Sequence, residues 1–430
     1  MKTLAQIASE LQGYDPLALS AQGVADFLSA LVSPVQEHEE RPLLDCLDRV
    51  LAEDLISPLD VPPHDNSAMD GYAFDGQALA QADRQLTLRC VGTALAGSAW
   101  PGAVGPGECL RIMTGAIMPA GTDTVVPQEM TRLDADGLHV HIPCGLLRAG
   151  DNRRLRGEDL QRGQPALKRG QRLTPARLGL AASLNVAQLT TWRPPTVAYF
   201  STGSEILSLG DAAREGAVYD SNRYTVLGLL RRLGCTVLDL GVVPDDPAQL
   251  EAAFRRAAAQ ADAIISSGGV SVGEADFTKA MMKQLGDVAF WRVAMRPGRP
   301  MAVGRLQDPG SGRQAVLFGL PGNPVAVMVT FLAFVRPALL QMMGCTDAPP
   351  PLLRARCIQA IKKKPGRTEY QRGWVSRGRD GVPEVEITGN QGSGILSSMA
   401  EANGLIVLHH GQGSAMPGDF VDVMVFDGVM

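Results

Sequence analysis

The chain has 430 residues, 45% hydrophobic and 20% charged, and its 40 Lys and Arg against 45 Asp and Glu leave a net charge of −5. A length of that order fills more than one core, so about three or four domains are expected. Charges of both signs are scattered and form no basic face for a nucleic-acid backbone, which excludes nucleic acid as a partner. Seven cysteines (Cys46, Cys90, Cys109, Cys144, Cys235, Cys345, Cys357) stand singly, with no CxxC pair and no histidine at zinc spacing. That is the usage of reduced thiols in a cytoplasmic protein. Met1 to Gly13 has neither a basic start ahead of an apolar core nor a cleavage signature, so no export signal is expected.

Helical spacing of apolar residues predicts short amphipathic helices over Gln22 to Val32 and Leu43 to Leu51, ahead of Pro58. Between Pro62 and Gly145 the strand-like runs Gln85 to Val91, Cys109 to Met113, Asp123 to Met130 and Gly137 to Ile142 alternate with Gly and Pro turns, predicting a small β module. Gly150 to Gly170 is rich in Arg and Gly, a helical run follows Pro175, and Thr190-Thr191-Trp192-Arg193-Pro194-Pro195 reads as a boundary. Beyond it strands (Thr196 to Phe200, Cys235 to Val243, Ala263 to Ser267, Gln314 to Phe318) alternate with helices (Ser221 to Leu233, Pro247 to Ala259, Phe277 to Leu285 and a long one after Pro324). This predicts a doubly wound, mostly parallel sheet with ligands at the carboxyl ends of its strands.

The long helix holds the longest apolar stretch, Val325 to Val335, which is closed by Arg336 and Pro337. It is shorter than the ~20 residues of a bilayer span, so it is expected to be a core helix, with no membrane partner. After the stiff linker Ala348-Pro349-Pro350-Pro351, the runs Leu353 to Ile361, Tyr370 to Arg377, Val385 to Ile387, Leu405 to Leu408 and Phe420 to Phe426 predict a small barrel or sandwich. The expected division is 1–62 with 146–192 as an elongated, discontinuous N-terminal domain, 63–145 as an inserted β module, 193–345 as the α/β domain and 352–430 as a C-terminal β domain.

The notable loops lie at the predicted carboxyl edge. Ser266-Ser267-Gly268-Gly269-Val270-Ser271-Val272-Gly273-Glu274-Ala275-Asp276 runs from a strand into a glycine-rich turn with acids behind it. Glycines let backbone amides approach a phosphate, and the acids can hold the metal a phosphate ester needs; a tight connection alone also uses such glycines. Ser201-Thr202-Gly203-Ser204-Glu205 faces the same crevice, as a ligand loop or as a helix cap. Asp220 and Ser221 read as an N-cap or as a substrate contact, and of Asp245 and Asp246 one caps the next helix while the other is left for a metal. Pro321-Gly322-Asn323-Pro324 is a rigid turn that fixes backbone where a ligand would lie, while Pro324 also suits a helix start. Arg296 and Arg299 flank a tight turn suited to an oxyanion, or to solvent.

Together with Asp65 to Tyr72, Arg111 to Gly115, Arg156-Gly157-Glu158-Asp159 and the C-terminal Gln391-Gly392-Ser393-Gly394, these strings resemble, in order and nearly end to end, the molybdopterin molybdenumtransferase family. That is the MoeA family of molybdenum cofactor biosynthesis, which includes the enzymatic part of gephyrin. The resemblance implies adenylated molybdopterin and molybdate as substrates, Mg²⁺ as the metal, and release of AMP as molybdenum enters the dithiolene. It places the acidic site residues on Glu205, Asp245 and Asp276, with Pro321 and Pro324 shaping the pocket; the mechanism expected on these residues has Asp245 and Asp276 holding the metal and the Gly268 and Gly269 amides cradling a phosphate. Molybdate falls to Arg296 and Arg299, helped by Arg367, Arg372 and Ser398. The resemblance also implies a homodimer in which the β module of one subunit, with Asp70, Thr114 and Asp159, reaches the α/β domain of the other, and a molybdopterin adenylyltransferase as a possible delivery partner. Three positions depart from the family: Arg296 and Arg299 stand where lysines are common, Ser204 where an acid is common, and Ala326 where a serine is common. The competing readings are the adenylyltransferase itself, which lacks the β module and barrel, and a non-catalytic scaffold, which has no need of metal-holding acids.

Overall fold

The computed structural model describes residues 2–269 and 276–426, of which 276–279 are described in backbone only. The central domain is built on the strands Thr196–Thr202, Ala263–Ser267 and Gln314–Leu320, apolar almost without interruption and buried on both faces, with half-exposed strands at its edges. In chain order they are β1 (Thr196–Thr202), α1 (Ser221–Leu233), β2 (Thr236–Val243), α2 (Pro247–Gln260), β3 (Ala263–Ser267), α3 (Asp276–Leu285), β4 (Gly286–Arg292), β5 (Pro300–Gln307), β6 (Gln314–Leu320) and the helix α4 (Pro324–Met342). The sheet order is β2-β1-β3-β6-β5-β4. The first four are parallel neighbours; β5 runs antiparallel to β6, and β4 antiparallel to β5. Residues alternate between the two covering layers: Val197, Tyr199 and Ile265 pack with α1 and α4, and Ala198, Phe200 and Ile264 with α2 and α3.

Local chemistry sets the helix ends. Asp220 caps α1 by accepting from the Arg223 amide at 3.0 Å, and Gly234 ends it in a left-handed conformation at φ 88°. Asp246 caps α2, with Pro247 at its start. α4 contains a π turn at Phe331–Val335, and 72% of its most apolar window is buried inside the protein, so it is a core helix.

Two short helices, Leu4–Glu10 and Ala21–Leu31, bury Ile7, Phe27, Leu28 and Leu31 against the central core, with the Phe27 and Trp291 rings 4.8 Å apart. The start of the chain therefore packs on the α/β domain rather than on the arm that follows it. Leu43 to Leu51 is not the expected helix: only Leu43–Cys46 forms a 3-10 turn, because the chain reverses at Asp48 (φ 63°) so that Leu51 can join Leu167 and Leu173 in a separate core. Outgoing and returning chain pair three times along the arm, His38–Pro42 with Gln188–Trp192, Leu55–Ile56 with Pro165–Leu167, and Asn66–Ser67 with Arg153–Arg154. At its end sits a six-stranded module built on Gly71–Phe74, Gln85–Ala94, Glu108–Ile112, Thr124–Pro127, Arg132–Leu133 and His139–Pro143. The C-terminal strands Leu353–Cys357, Thr368–Arg377, Pro383–Ile387, Gly404–Leu408 and Phe420–Val425 close into a barrel through the pairing of Thr368–Arg377 with Gly404–Leu408. Met295–Arg296, from the central domain, adds a further strand alongside Thr368–Glu369.

Candidate active site

Because β1 lies between β2 and β3, the connections leaving β1 and β2 run to opposite sides, and a crevice opens outside the carboxyl ends of β1 and β3. The register puts Ser201, Ser267 and Leu320 side by side, so the loops after β1, β3 and β6 begin at one level. They enclose a cavity of about 1490 Å³, walled also by Asp245, the turn from Met295 to Pro300, and Arg367, Gln391, Ser393 and Gly394 of the barrel.

Glycine is required at the centre of this cavity. Gly268 has φ +92°, and a Cβ there would stand 2.6 Å from the Thr202 carbonyl oxygen. Its own amide donates to Leu320 O at 3.1 Å and is not available to a ligand. Of the two amides expected to cradle a phosphate, the ladder therefore uses one, and the Gly269 amide is the other. Gly203 (φ +145°) lets the Glu205 carboxylate fold back over it, 2.6 Å from where a Cβ would be. Asp245, left uncapped by Asp246, accepts from the Ser204 amide at 3.1 Å, and Arg214 donates to Ser204 O. Thr202, Asp220 and Asn222 are each more than nine-tenths buried, and Thr202 Oγ1, Asp220 Oδ2 and Asn222 Oδ1 have no hydrogen-bond partner among the described residues.

Beneath the loops lies a polar cluster in which Ser201 and Ser267, named from the sequence, are joined by Tyr199, which the sequence did not single out. Tyr199 is fully buried in mid-strand, and its hydroxyl meets Ser201 Oγ at 2.8 Å and Ser267 Oγ at 3.0 Å. Burial pushes this phenol above its ordinary pKa. Asn222 Nδ2 donates to Gly322 O at 2.8 Å and contacts Ser267 Oγ at 3.4 Å. A tyrosine inside a run otherwise apolar on both faces is the available signal, since its polar tip needs a partner.

The cationic wall is the turn bearing Arg296 and Arg299. Gly298 (φ +96°) presses on α4 so closely that a Cβ would lie 2.6 Å from Thr330 Oγ1. Arg299 O accepts from the Val293 amide at 2.7 Å. Arg367 also reaches the cavity, held by the buried Glu369 at 2.7 Å. Arg372 is placed differently: it is 1% exposed and donates to Ser398 Oγ and to the carbonyls of Asn390, Gln391 and Gly392. Burial, with the Arg296 charge adding, pushes its pKa down to about 10. Arg372 and Ser398 therefore form the framework behind Gln391 and do not line the cavity.

Ser221, Pro321, Gly322, Asn323 and Pro324 all line the cavity, and Asn323 Nδ2 donates to Ser393 Oγ of the barrel at 3.1 Å. Ser271, Gly273 and the side chain of Asp276 lie outside the described residues. Asp70, Thr114 and Asp159 are not among the lining residues. Asp70 accepts from the Thr114 amide at 2.6 Å and hydroxyl at 2.8 Å, and these bonds hold its carboxyl below the usual range. Asp134, Asp136 and His139 bring ligand atoms within 4.8 Å of one another on the module's surface, an arrangement that exposed acids adopt without any ion.

An α/β domain with its crevice at the switch point, flanked by a β-module arm and a barrel, defines a multidomain α/β protein built to hold a small ligand between its central domain and its barrel. Three sequence profiles match in the same order: the MoeA N-terminal region (domain I and II) over residues 19–185, a probable molybdopterin binding domain over 198–341, and the MoeA C-terminal region (domain IV) over 354–426. The chain belongs to the MoeA family. It is 40% identical to a molybdopterin molybdenumtransferase of Haemophilus influenzae across 95% of this chain and 98% of that one. With a molybdopterin molybdenumtransferase of Bacillus subtilis the identity is 34% across 90% of each. Among solved structures, a molybdopterin biosynthesis moeA protein from Pyrococcus horikoshii OT3 superposes with a TM-score of 0.79 over 95% of this chain and 100% of that one, at 24% identity, which shows the fold.

Proposed function

We propose that the protein is a molybdopterin molybdenumtransferase acting in molybdenum cofactor biosynthesis in the cytoplasm, on adenylated molybdopterin and molybdate. The observation that carries the reading is the convergence on one cavity of Gly269, Glu205, Asp245, Arg296 and Arg299. In this reading the Gly269 amide and the rigid Pro321–Pro324 turn hold the phosphoanhydride. Water supplies the oxygen as the P–O bond to AMP breaks, and Arg296, Arg299 and Arg367 hold the molybdate oxyanion until the two dithiolene sulfurs replace oxygen on molybdenum, the displaced oxygen leaving as water with the thiol protons. The hard carboxylate oxygens of Asp245 and Glu205 at the cavity wall suit Mg²⁺; we assign the cation to Asp245 and Asp276, and bound there it would neutralise anhydride charge.

Two carboxylates remain unused by this cavity's own chain, Asp70 and Asp159. They are assigned to the site of a second copy in a homodimer whose arms, 1–62 with 146–192 carrying 63–145 but without the two helices Leu4–Glu10 and Ala21–Leu31 that pack on the chain's own central domain, cross to the partner's α/β domain (193–345), with 352–430 as the barrel. A molybdopterin adenylyltransferase is the natural supplier of the adenylated substrate. The test mixes protein, adenylated molybdopterin, Mg²⁺ and molybdate and follows AMP release alongside pterin-bound molybdenum. Asp245→Asn is expected to slow AMP release about 100-fold; release at the unaltered rate overturns the assignment.

A further inference from the structure

We propose that Tyr199 and Asn222 are positioning residues that clamp the three loops of the crevice into the shape that receives a pyrophosphate, an inference that rests on the function proposed above. The Tyr199 hydroxyl bridges β1 to β3 through Ser201 and Ser267, the residues that immediately precede the ligand loops at Thr202 and Gly268. Asn222, at the start of α1, continues the chain of contacts from Ser267 to the Gly322 carbonyl. Because that carbonyl can only accept, the Nδ2 end must face it, which fixes the amide's orientation. The Gly268 amide closes the circuit on Leu320 O, and a Cβ built on Gly322 would lie 4.0 Å from the Gly268 Cα. Strands of a parallel sheet are already held by their ladders, so hydroxyl bonds between side chains add little to strand pairing. What they constrain is the exit of the chain from each strand, where the ladder stops.

The location favours positioning over simple core filling. A phenylalanine would fill the Tyr199 site and leave two buried serine hydroxyls with fewer partners. Asn222 uses both amide hydrogens' side of the group on protein acceptors while lining the cavity itself.

Tyr199→Phe keeps the ring and removes one oxygen; Asn222→Ala removes the other end of the chain. Affinity for inorganic pyrophosphate, measured by titration calorimetry, is expected to fall about 3- to 10-fold in each variant. The double variant should be little weaker than either single one, because the two act as one unit. With adenylated molybdopterin, KM should rise by the same factor, kcat should stay within about twofold, and half-saturating molybdate should not move. Unchanged pyrophosphate affinity, strictly additive losses, or a parallel loss of molybdate affinity would overturn the clamp. Failure of the unaltered protein to release AMP would instead remove the functional reading, while its pyrophosphate affinity and the two variants would still decide the clamp.

Discussion

Asp245 and Asp246 are adjacent in sequence and opposite in purpose. Asp246 accepts from the Gln249 amide and holds the first turn of α2, whereas Asp245 turns into the cavity. Asp246→Ala is expected to lower unfolding stability by about 0.5–2 kcal/mol with AMP release per folded molecule retained, the reverse of the Asp245→Asn outcome; urea unfolding and product assay on both variants separate them. Asp70 gives a pH prediction. Its carboxyl is held below the ordinary range by Thr114, so as pH falls the unfolded chain takes up the proton first. The stabilisation is complete above the ordinary carboxylate value and disappears as pH drops through the folded one. Asp70→Asn is therefore expected to narrow the difference in urea midpoint between about pH 5 and about pH 3. At this scale the sequence was legible where chemistry is local, as in the caps and the glycine turn. It was not legible for Arg372 and Arg296, two arginines that only packing distinguishes, one sealed behind carbonyls and the other lining the cavity.

The elements of the α/β domain were readable because the inner parallel strands β1, β3 and β6 bury both faces and leave nearly unbroken apolar runs. The antiparallel pair β4 and β5 escaped, since Gly286–Arg292 mixes exposed and buried positions and abuts a helix without a turn signal. Leu43 to Leu51 misled for the converse reason: apolar residues recur at helical spacing, yet they serve a turn around Asp48. Gly268 shows how strongly one element's end is specified. Gly268→Ala combines a left-handed backbone with contact against Thr202 O, and is expected to cost about 1–3 kcal/mol in urea unfolding, with weakened substrate binding in whatever folded protein remains. Gly344 has the same left-handed backbone (φ +74°) and is flanked by the buried Trp192 ring, but it does not line the cavity, so an alanine there is expected to lower stability without a separate catalytic effect.

Across the whole molecule the resemblance reached further than the physics of the sequence. Nothing in the local composition of Asp65 to Tyr72 marks it as more than a loop, and within one chain Asp70 and Thr114 satisfy each other. If each site is completed by a second copy, co-expressed Asp70→Ala and Asp245→Asn chains, each inactive alone, are expected to recover activity in the mixed dimer, where one complete site forms. Purification through two different tags and an AMP-release assay read this out, and an inactive mixed dimer places the arm's carboxylates outside the chemistry.

The strand Met295–Arg296 has a mechanical consequence. It hydrogen-bonds to Thr368–Glu369 of the barrel while its next residues press Gly298 onto α4, so the cationic turn is stitched to both bodies at once. The prolines at 349–351 are the covalent connection between the bodies, yet they are not a free swivel. A swing of the barrel would have to tear this seam, and the guanidinium groups would travel with it, changing the anion end of the crevice and leaving the glycine end where it was.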